Sequence, residues 1–193
     1  MRVLIACEYS GTVRDAFIKQ GHEAMSCDLL ATDAPGPHYK GDVFDIIGDG
    51  WDLMIAHPPC TYLSVSGMHW TTRGLRDPQL TEDALSFVRK LMDAPIERIA
   101  IENPISVISS RIRKPDQIIQ PWWFGDDASK KTCLWLKNLP KLTPTAMLPG
   151  NEKTRRANQT ATGQNKLAPS KNRWKIRSKT YQGIADAMSK QWA

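Results

Sequence analysis

Two short segments combine residue types capable of covalent chemistry with the stiffness needed to aim them. The first is His57-Pro58-Pro59-Cys60-Thr61-Tyr62-Leu63-Ser64, which follows an apolar run. Consecutive prolines restrict the backbone and remove two N–H donors, so a cysteine directly after them is held in place. A thiolate there is a nucleophile whose reactivity is set by the local field. A structural cysteine in a tight turn is the competing reading, and this segment alone leaves both open. The second is Ile101-Glu102-Asn103-Pro104, again straight after apolar residues. A carboxylate at the end of a buried strand is costly unless it is paired or used. Asn103 followed by Pro104 can also cap a helix, which is compatible with Glu102 entering a pocket.

The elements that must carry these groups are readable from period and punctuation. Arg2–Cys7, His22–Cys27, Asp52–Ala56, Ile99–Ile101 and Cys133–Leu136 are short apolar runs that predict buried strands. Thr12–Gln20, stopped by Gly21, predicts a helix, as does Pro78–Leu91 with Leu80, Ala84, Phe87, Val88 and Leu91 sharing one face. A final amphipathic helix is expected over Tyr181–Gln191. This alternation predicts a doubly wound α/β fold with a mostly parallel sheet, in which ligands sit at the carboxyl ends of strands. Glu8–Gly11, Asp28, Pro58–Cys60 and Glu102-Asn103 all fall at such ends. From Thr143 to Lys179 the pattern dissolves into polar and basic residues, read as a long loop or small insert. The expected division is a core over 1–142, a basic insert over 143–179 and a returning helix over 180–193.

Charge is distributed unevenly over the 193 residues. Residues 1–128 hold 12 Lys and Arg against 18 Asp and Glu, a balance of −6, whereas residues 129–193 hold 14 against 2, a balance of +12. A basic region interleaved with Trp174 and Tyr181 points to a nucleic-acid partner, with a solvated basic tail as the plainer alternative. No apolar run approaches the roughly 18 residues of a membrane span, and an intracellular, cytoplasmic location is expected. Cys7, Cys27, Cys60 and Cys133 are widely spaced, without the clustering a zinc site requires, so no metal is expected. Three of them sit in strand-like contexts as small hydrophobes, and Cys60 stands apart.

Pro58-Pro59-Cys60 after a strand, with Glu102-Asn103 some forty residues on, resembles the cytosine-C5 DNA methyltransferase family, and looks most similar to its short phage- and prophage-type members. The remaining order agrees. Arg2–Gly11 is similar to the family's opening strand and methionine-binding loop, Cys27-Asp28 to its ribose-binding acid, and Gly41-Asp42-Val43 to its adenine-contacting Gly-Asp-Ile. Lys130-Lys131-Thr132-Cys133 stands at its paired-arginine strand, and Tyr181–Met188 at its last helix. The departures are a single glycine, Gly11, in the opening loop, Glu8 at a position usually small, Thr61 for a commoner Gln, lysines for the paired arginines, and no large recognition domain.

The resemblance implies a Rossmann-like methyltransferase fold that uses S-adenosylmethionine and acts on double-stranded DNA. It implies Cys60 as the nucleophile adding to C6 of a flipped cytosine and Glu102 as its partner at N3 and the exocyclic amine, with a raised pKa. Glu8, Ser10, Gly11, Asp28, Asp42 and Pro58 are the implied cofactor contacts, with the amides at the helix start available to a carboxylate. Lys130, Lys131, Arg155, Arg156, Arg173, Lys175 and Arg177 are the expected nucleic-acid contacts, and Trp70 or Trp174 an aromatic to fill the gap left by the base. His57 is expected to pack or hydrogen-bond locally, ahead of acting as the base that removes the C5 proton, with tuning of the Cys60 thiolate as a further role. Trp122-Trp123-Phe124 is read as core or sheet edge, ahead of a base-stacking surface. Methylation of RNA or a free nucleotide, and non-catalytic nucleic-acid binding on a degenerate methyltransferase fold, stay open as alternatives.

Overall fold

The computed structural model describes residues 1–193. Seven strands, β1 (Arg2–Ala6), β2 (Glu23–Asp28), β3 (His38–Lys40), β4 (Leu53–Ala56), β5 (Arg98–Pro104), β6 (Gln117–Ile119) and β7 (Thr132–Lys137), form one sheet in the order β3-β2-β1-β4-β5-β7-β6. The first five are parallel, and β7 runs antiparallel between β5 and β6. This is the expected doubly wound α/β architecture. The helices are α1 (Thr12–Lys19), α2 (Val65–Thr72), α3 (Gln79–Met92), α4 (Ile108–Arg111), α5 (Arg173–Ser178) and α6 (Gln182–Gln191).

Central strands are apolar on both faces because both are covered. Leu4, Ala6, Met54, Ala56, Ile99 and Ile101 pack toward Leu85, Val88 and Leu91 of α3. Val3, Ile5, Leu53, Ile55 and Ala100 alternate with them and pack against Val13, Ala16 and Phe17 of α1 and Ile184, Ala185 and Met188 of α6. Trp122 and Phe124 are buried, as expected of core. The start of α6 lies directly on the chain at Phe124. A Cβ on Gly183 would come within 2.0 Å of the Phe124 carbonyl oxygen, and the Gly183 N–H donates to Asp126 at 2.9 Å.

Two local expectations change. β5 was expected to end at Ile101, with Asn103 and Pro104 starting a helix, but it runs to Pro104 because β7 pairs along its whole length, Glu102 with Leu134 and Pro104 with Thr132. The proline-containing stretch before Gly41 hides β3, a three-residue edge strand too short to show a period. Residues 138–172 hold no helix or strand, yet polar bonds fasten them to the core. Asn158 bonds both backbone groups of Ser129, at 2.9 and 3.0 Å, and Gln120 donates to Glu152 at 3.0 Å.

Candidate active site

Chain order reverses between β1 and β4, which opens a crevice at their carboxyl ends. A cavity of about 360 Å³ lies there, within the range of small-molecule sites. Asp28 at the end of β2, Asp42 in the turn after β3 and Asp83 of α3 contribute its carboxylates, while Pro59, Tyr62, Leu80 and Phe87 contribute apolar walls. Asp28 accepts the Leu30 N–H at 2.9 Å, and burial pushes its pKa above the ordinary carboxylate value. Asp42 accepts the Phe44 N–H at 3.0 Å and so starts the short 3₁₀ turn at Val43–Asp45. Carboxylates accept and do not donate, so a ligand with an apolar plate and flanking hydroxyl or amine donors matches this lining. Of the expected cofactor contacts, Asp28, Asp42 and Pro58 line the cavity.

Glu8, Ser10 and Gly11 do not. Glu8 is 4% exposed and turns onto the start of α1, where it accepts the N–H groups of Val13 at 2.7 Å and Arg14 at 3.2 Å and the Ser10 hydroxyl at 3.1 Å. The helix amides expected to hold a cofactor carboxylate are therefore occupied by the chain's own. Gly11 adopts φ 75°, and a Cβ there would meet the Arg14 guanidinium at 2.4 Å. Arg14, absent from the sequence reading, is fully buried. It bonds Ser26, Asp15 and the carbonyls of Ala34 and Pro35, tying α1 to the loop after β2. Its signal in the sequence is a lone charge on the apolar side of α1.

Cys60 stands in the turn after β4, and Glu102 in the last half of the adjacent strand β5. The turn bearing Cys60 is fixed at several points. The Asn103 side-chain amide donates to the Pro58 carbonyl at 2.8 Å, the Cys60 carbonyl accepts from Ser64 at 2.8 Å, and the Val107 N–H reaches the Leu63 carbonyl at 2.9 Å. Asn103 is thus a clamp rather than a helix cap. The Cys60 thiol is pushed up from its ordinary value by desolvation and by Glu102, opposed by the positive charges of Lys130 and Arg177. Glu102 is 7% exposed. Burial works to raise its pKa, but Lys130 and the His57 imidazole outweigh it and hold the carboxyl below its ordinary value. This reverses the raised pKa expected from the resemblance. His57 Nδ1 lies 3.0 Å from Glu102 Oε2, so His57 serves the carboxylate and makes no hydrogen bond to Cys60.

The basic residues separate into two groups. Lys130 lies beside Glu102, and its ammonium donates to the Arg177 carbonyl at 3.3 Å. Lys131, Arg155 and Arg177 are exposed, and Arg173 is half-buried. Arg156 was expected at a phosphate, but it is 5% exposed and stacks at 4.5 Å over the Trp122 ring, inside the fold. Lys175 is engaged by Asp33 at 2.6 Å, with Lys179 on the same carboxylate at 3.1 Å. Tyr9 donates to the Lys175 carbonyl and stands 3.0 Å from the Ser178 hydroxyl. These contacts strap α5 across the loops after β1 and β2. Trp70 and Trp174 are both exposed. No group of His, Cys, Asp or Glu is arranged to hold a metal ion, and no helix is long and apolar enough to cross a membrane.

No family model matches this chain, and no curated protein does. Among solved structures it is similar to the methyltransferase EhMeth of Entamoeba histolytica, at 15% identity and a TM-score of 0.52 over 77% of this chain. A protein described as a DNA modification methyltransferase, encoded within a prophage of Escherichia coli, aligns at 14% identity with a TM-score of 0.49, also over 77% of this chain. The chain spans about half the length of these neighbours, 57% and 52%. At this identity the likeness to EhMeth establishes the fold alone: a Rossmann-like, doubly wound sheet.

Proposed function

We propose that this chain methylates C5 of cytosine in DNA, using S-adenosylmethionine, with Cys60 adding to C6 of a base drawn out of the duplex. The observation that carries the proposal is the joint placement of Cys60, in the turn after β4, and Glu102, on adjacent β5, beside a cavity furnished with Asp28 and Asp42. The cavity suits the adenosine half of the cofactor. In this reading Asp28 takes the ribose hydroxyls, the Asp42-Val43 turn takes adenine, and Phe87, Leu80 and Tyr62 pack against its faces. When bound, the cofactor supplies an electrophilic methyl group.

The chain's own residues do the rest. Cytosine C5 is a poor nucleophile until something adds at C6, and a thiolate is suited to that addition. Glu102 enters as a carboxylate, so it accepts from the exocyclic amine, and the Lys130 ammonium balances charge building on the ring. The raised thiol pKa means that Cys60 rests protonated; it gives its proton to water as it adds to C6, with the positive charges of Lys130 and Arg177 favouring the thiolate. Exposed Lys131, Arg155 and Arg177, with Arg173, grip phosphates, and residues 143–179 provide the nucleic-acid surface.

Nucleoside mass spectrometry on DNA from cells expressing the protein, beside a Cys60→Ala control, tests this. The expected result is 5-methyldeoxycytidine that the control abolishes. Unchanged DNA from a folded, cofactor-binding protein transfers the activity to RNA or nucleotide, and absence of cofactor binding leaves a nucleic-acid-binding protein.

A further inference from the structure

The pairing of His57 with Glu102 leaves one nitrogen of the imidazole unused. Glu102 is a carboxylate here and can only accept, so the 3.0 Å contact fixes the imidazole proton on Nδ1. In the neutral ring Nε2 is then the nitrogen that carries the lone pair. It is buried, makes no hydrogen bond, and belongs to a side chain only 8% exposed. A buried acceptor with no donor is a standing cost, and such a cost is retained where a group is used.

The ring cannot easily turn away from that role. The His57 N–H is held by the Ala6 carbonyl at 2.9 Å, its Nδ1 by Glu102, and the next residue by Asn103 through the Pro58 carbonyl at 2.8 Å. Two prolines then connect it rigidly to Cys60. The other titratable groups in this neighbourhood are unsuitable as bases. Lys130 and Arg177 are cations, burial pushes the Tyr181 hydroxyl up so that it stays protonated, and Glu102 is already committed to its partners.

We infer that His57, through Nε2, is the base that removes the C5 proton in the reaction proposed above, on which this inference rests. Nε2 takes the proton from the methylated adduct, and the C5–H electron pair becomes the C5–C6 double bond. The C6–S bond breaks with its electrons returning to Cys60 as thiolate. The imidazolium so formed sits against Glu102, as a carboxylate-oriented histidine does in other acid–base pairs.

The test uses the full chain with S-adenosylmethionine and DNA carrying tritium at cytosine C5. His57→Asn retains an N–H able to face Glu102 and deletes Nε2, and His57→Gln, which also lacks a base, serves should the first variant not fold. The expected result is a methylated, Cys60-linked protein–DNA adduct that accumulates, with tritium release slowed on the order of 10²- to 10⁴-fold. Tritium release at the unmodified protein's rate overturns the inference. So does a folded variant that forms no adduct, because His57 then only orients Glu102. The unmodified protein is run in parallel on DNA containing 5-fluorocytosine, where the adduct cannot be resolved. If it forms none there, the underlying reaction is wrong and the inference falls with it.

Discussion

Replacing Glu8 with alanine separates a structural from a ligand-binding role for the opening loop. Its carboxylate accepts two buried backbone N–H groups and the Ser10 hydroxyl while completing the start of α1. A hydrogen bond to a charged group contributes about 1.5–3 kcal/mol, and a charge at a helix N-terminus about 0.3–1 kcal/mol. Two amide bonds at the lower end plus the helix contribution come to about 4 kcal/mol. Water entering the vacated space offsets part of this, leaving about 3 kcal/mol. For a domain of this size that is a fall in Tm of about 6–12 °C. Glu8→Gln retains one carbonyl oxygen and is expected to lose about half as much. Urea denaturation followed by tryptophan fluorescence reads the change as a shift in midpoint at constant slope. Calorimetric titration with S-adenosylmethionine is expected to give the same Kd within threefold once the variant is held folded. An alanine variant within 0.5 kcal/mol of the unmodified protein (an order-of-magnitude bound on surface substitutions), or one of normal stability that binds cofactor at least tenfold more weakly (about 1.4 kcal/mol), would refute the capping role.

Asp28→Asn is expected to weaken S-adenosylmethionine on the order of 10- to 100-fold, the loss of one charge-assisted hydrogen bond, with melting little changed. Equal affinity by calorimetry removes Asp28 from the ribose site. Cys60 is the exposed cysteine, and its thiol pKa is raised, so its alkylation by iodoacetamide is expected to need higher pH than an ordinary cysteine. Glu102→Gln deletes a negative charge that favours the neutral thiol, so alkylation at fixed pH is expected to accelerate. A slower or unchanged rate contradicts the electrostatic coupling of the two residues.

The sheet was legible because its central strands are buried on both faces, and continuous apolar runs such as Leu53–Ala56 have no other explanation in a chain punctuated by glycine and proline. β3 and β6, three residues each, escaped because period cannot be read from so few positions. The cluster of functional groups at strand ends was visible for the same reason as the strands. Their partnerships were not. Whether Glu102 is ionised depends on Lys130, 28 positions away, and on His57, 45 positions away, and the latter distance is set by register between β4 and β5. That two of the basic residues are engaged by the chain itself was hidden for a related reason. Composition counts charges, while Arg156 lies inside on Trp122 and Lys175 is matched by Asp33, 142 positions distant. The bonds of Glu8 to the Val13 and Arg14 amides were not legible either, because a carboxylate near a helix start reads alike whether it serves the helix or a ligand.

The inner face of β1 and β4 is closed partly by α6, so the first strand waits for the last helix. Ile184, Ala185, Met188 and Trp192 complete the packing over Val3, Ile5, Leu53 and Ile55, and the Trp192 carbonyl is held by Arg98 at 3.1 Å. During vectorial synthesis those early strands emerge with half of this face bare. At about 5–20 residues per second, the ribosome needs about 7–30 s to travel from Ile55 to Trp192. For that interval the nascent chain displays β-branched residues that a chaperone or another unfinished chain can capture. Expression temperature and translation speed therefore act on this protein through the arrival of its final helix.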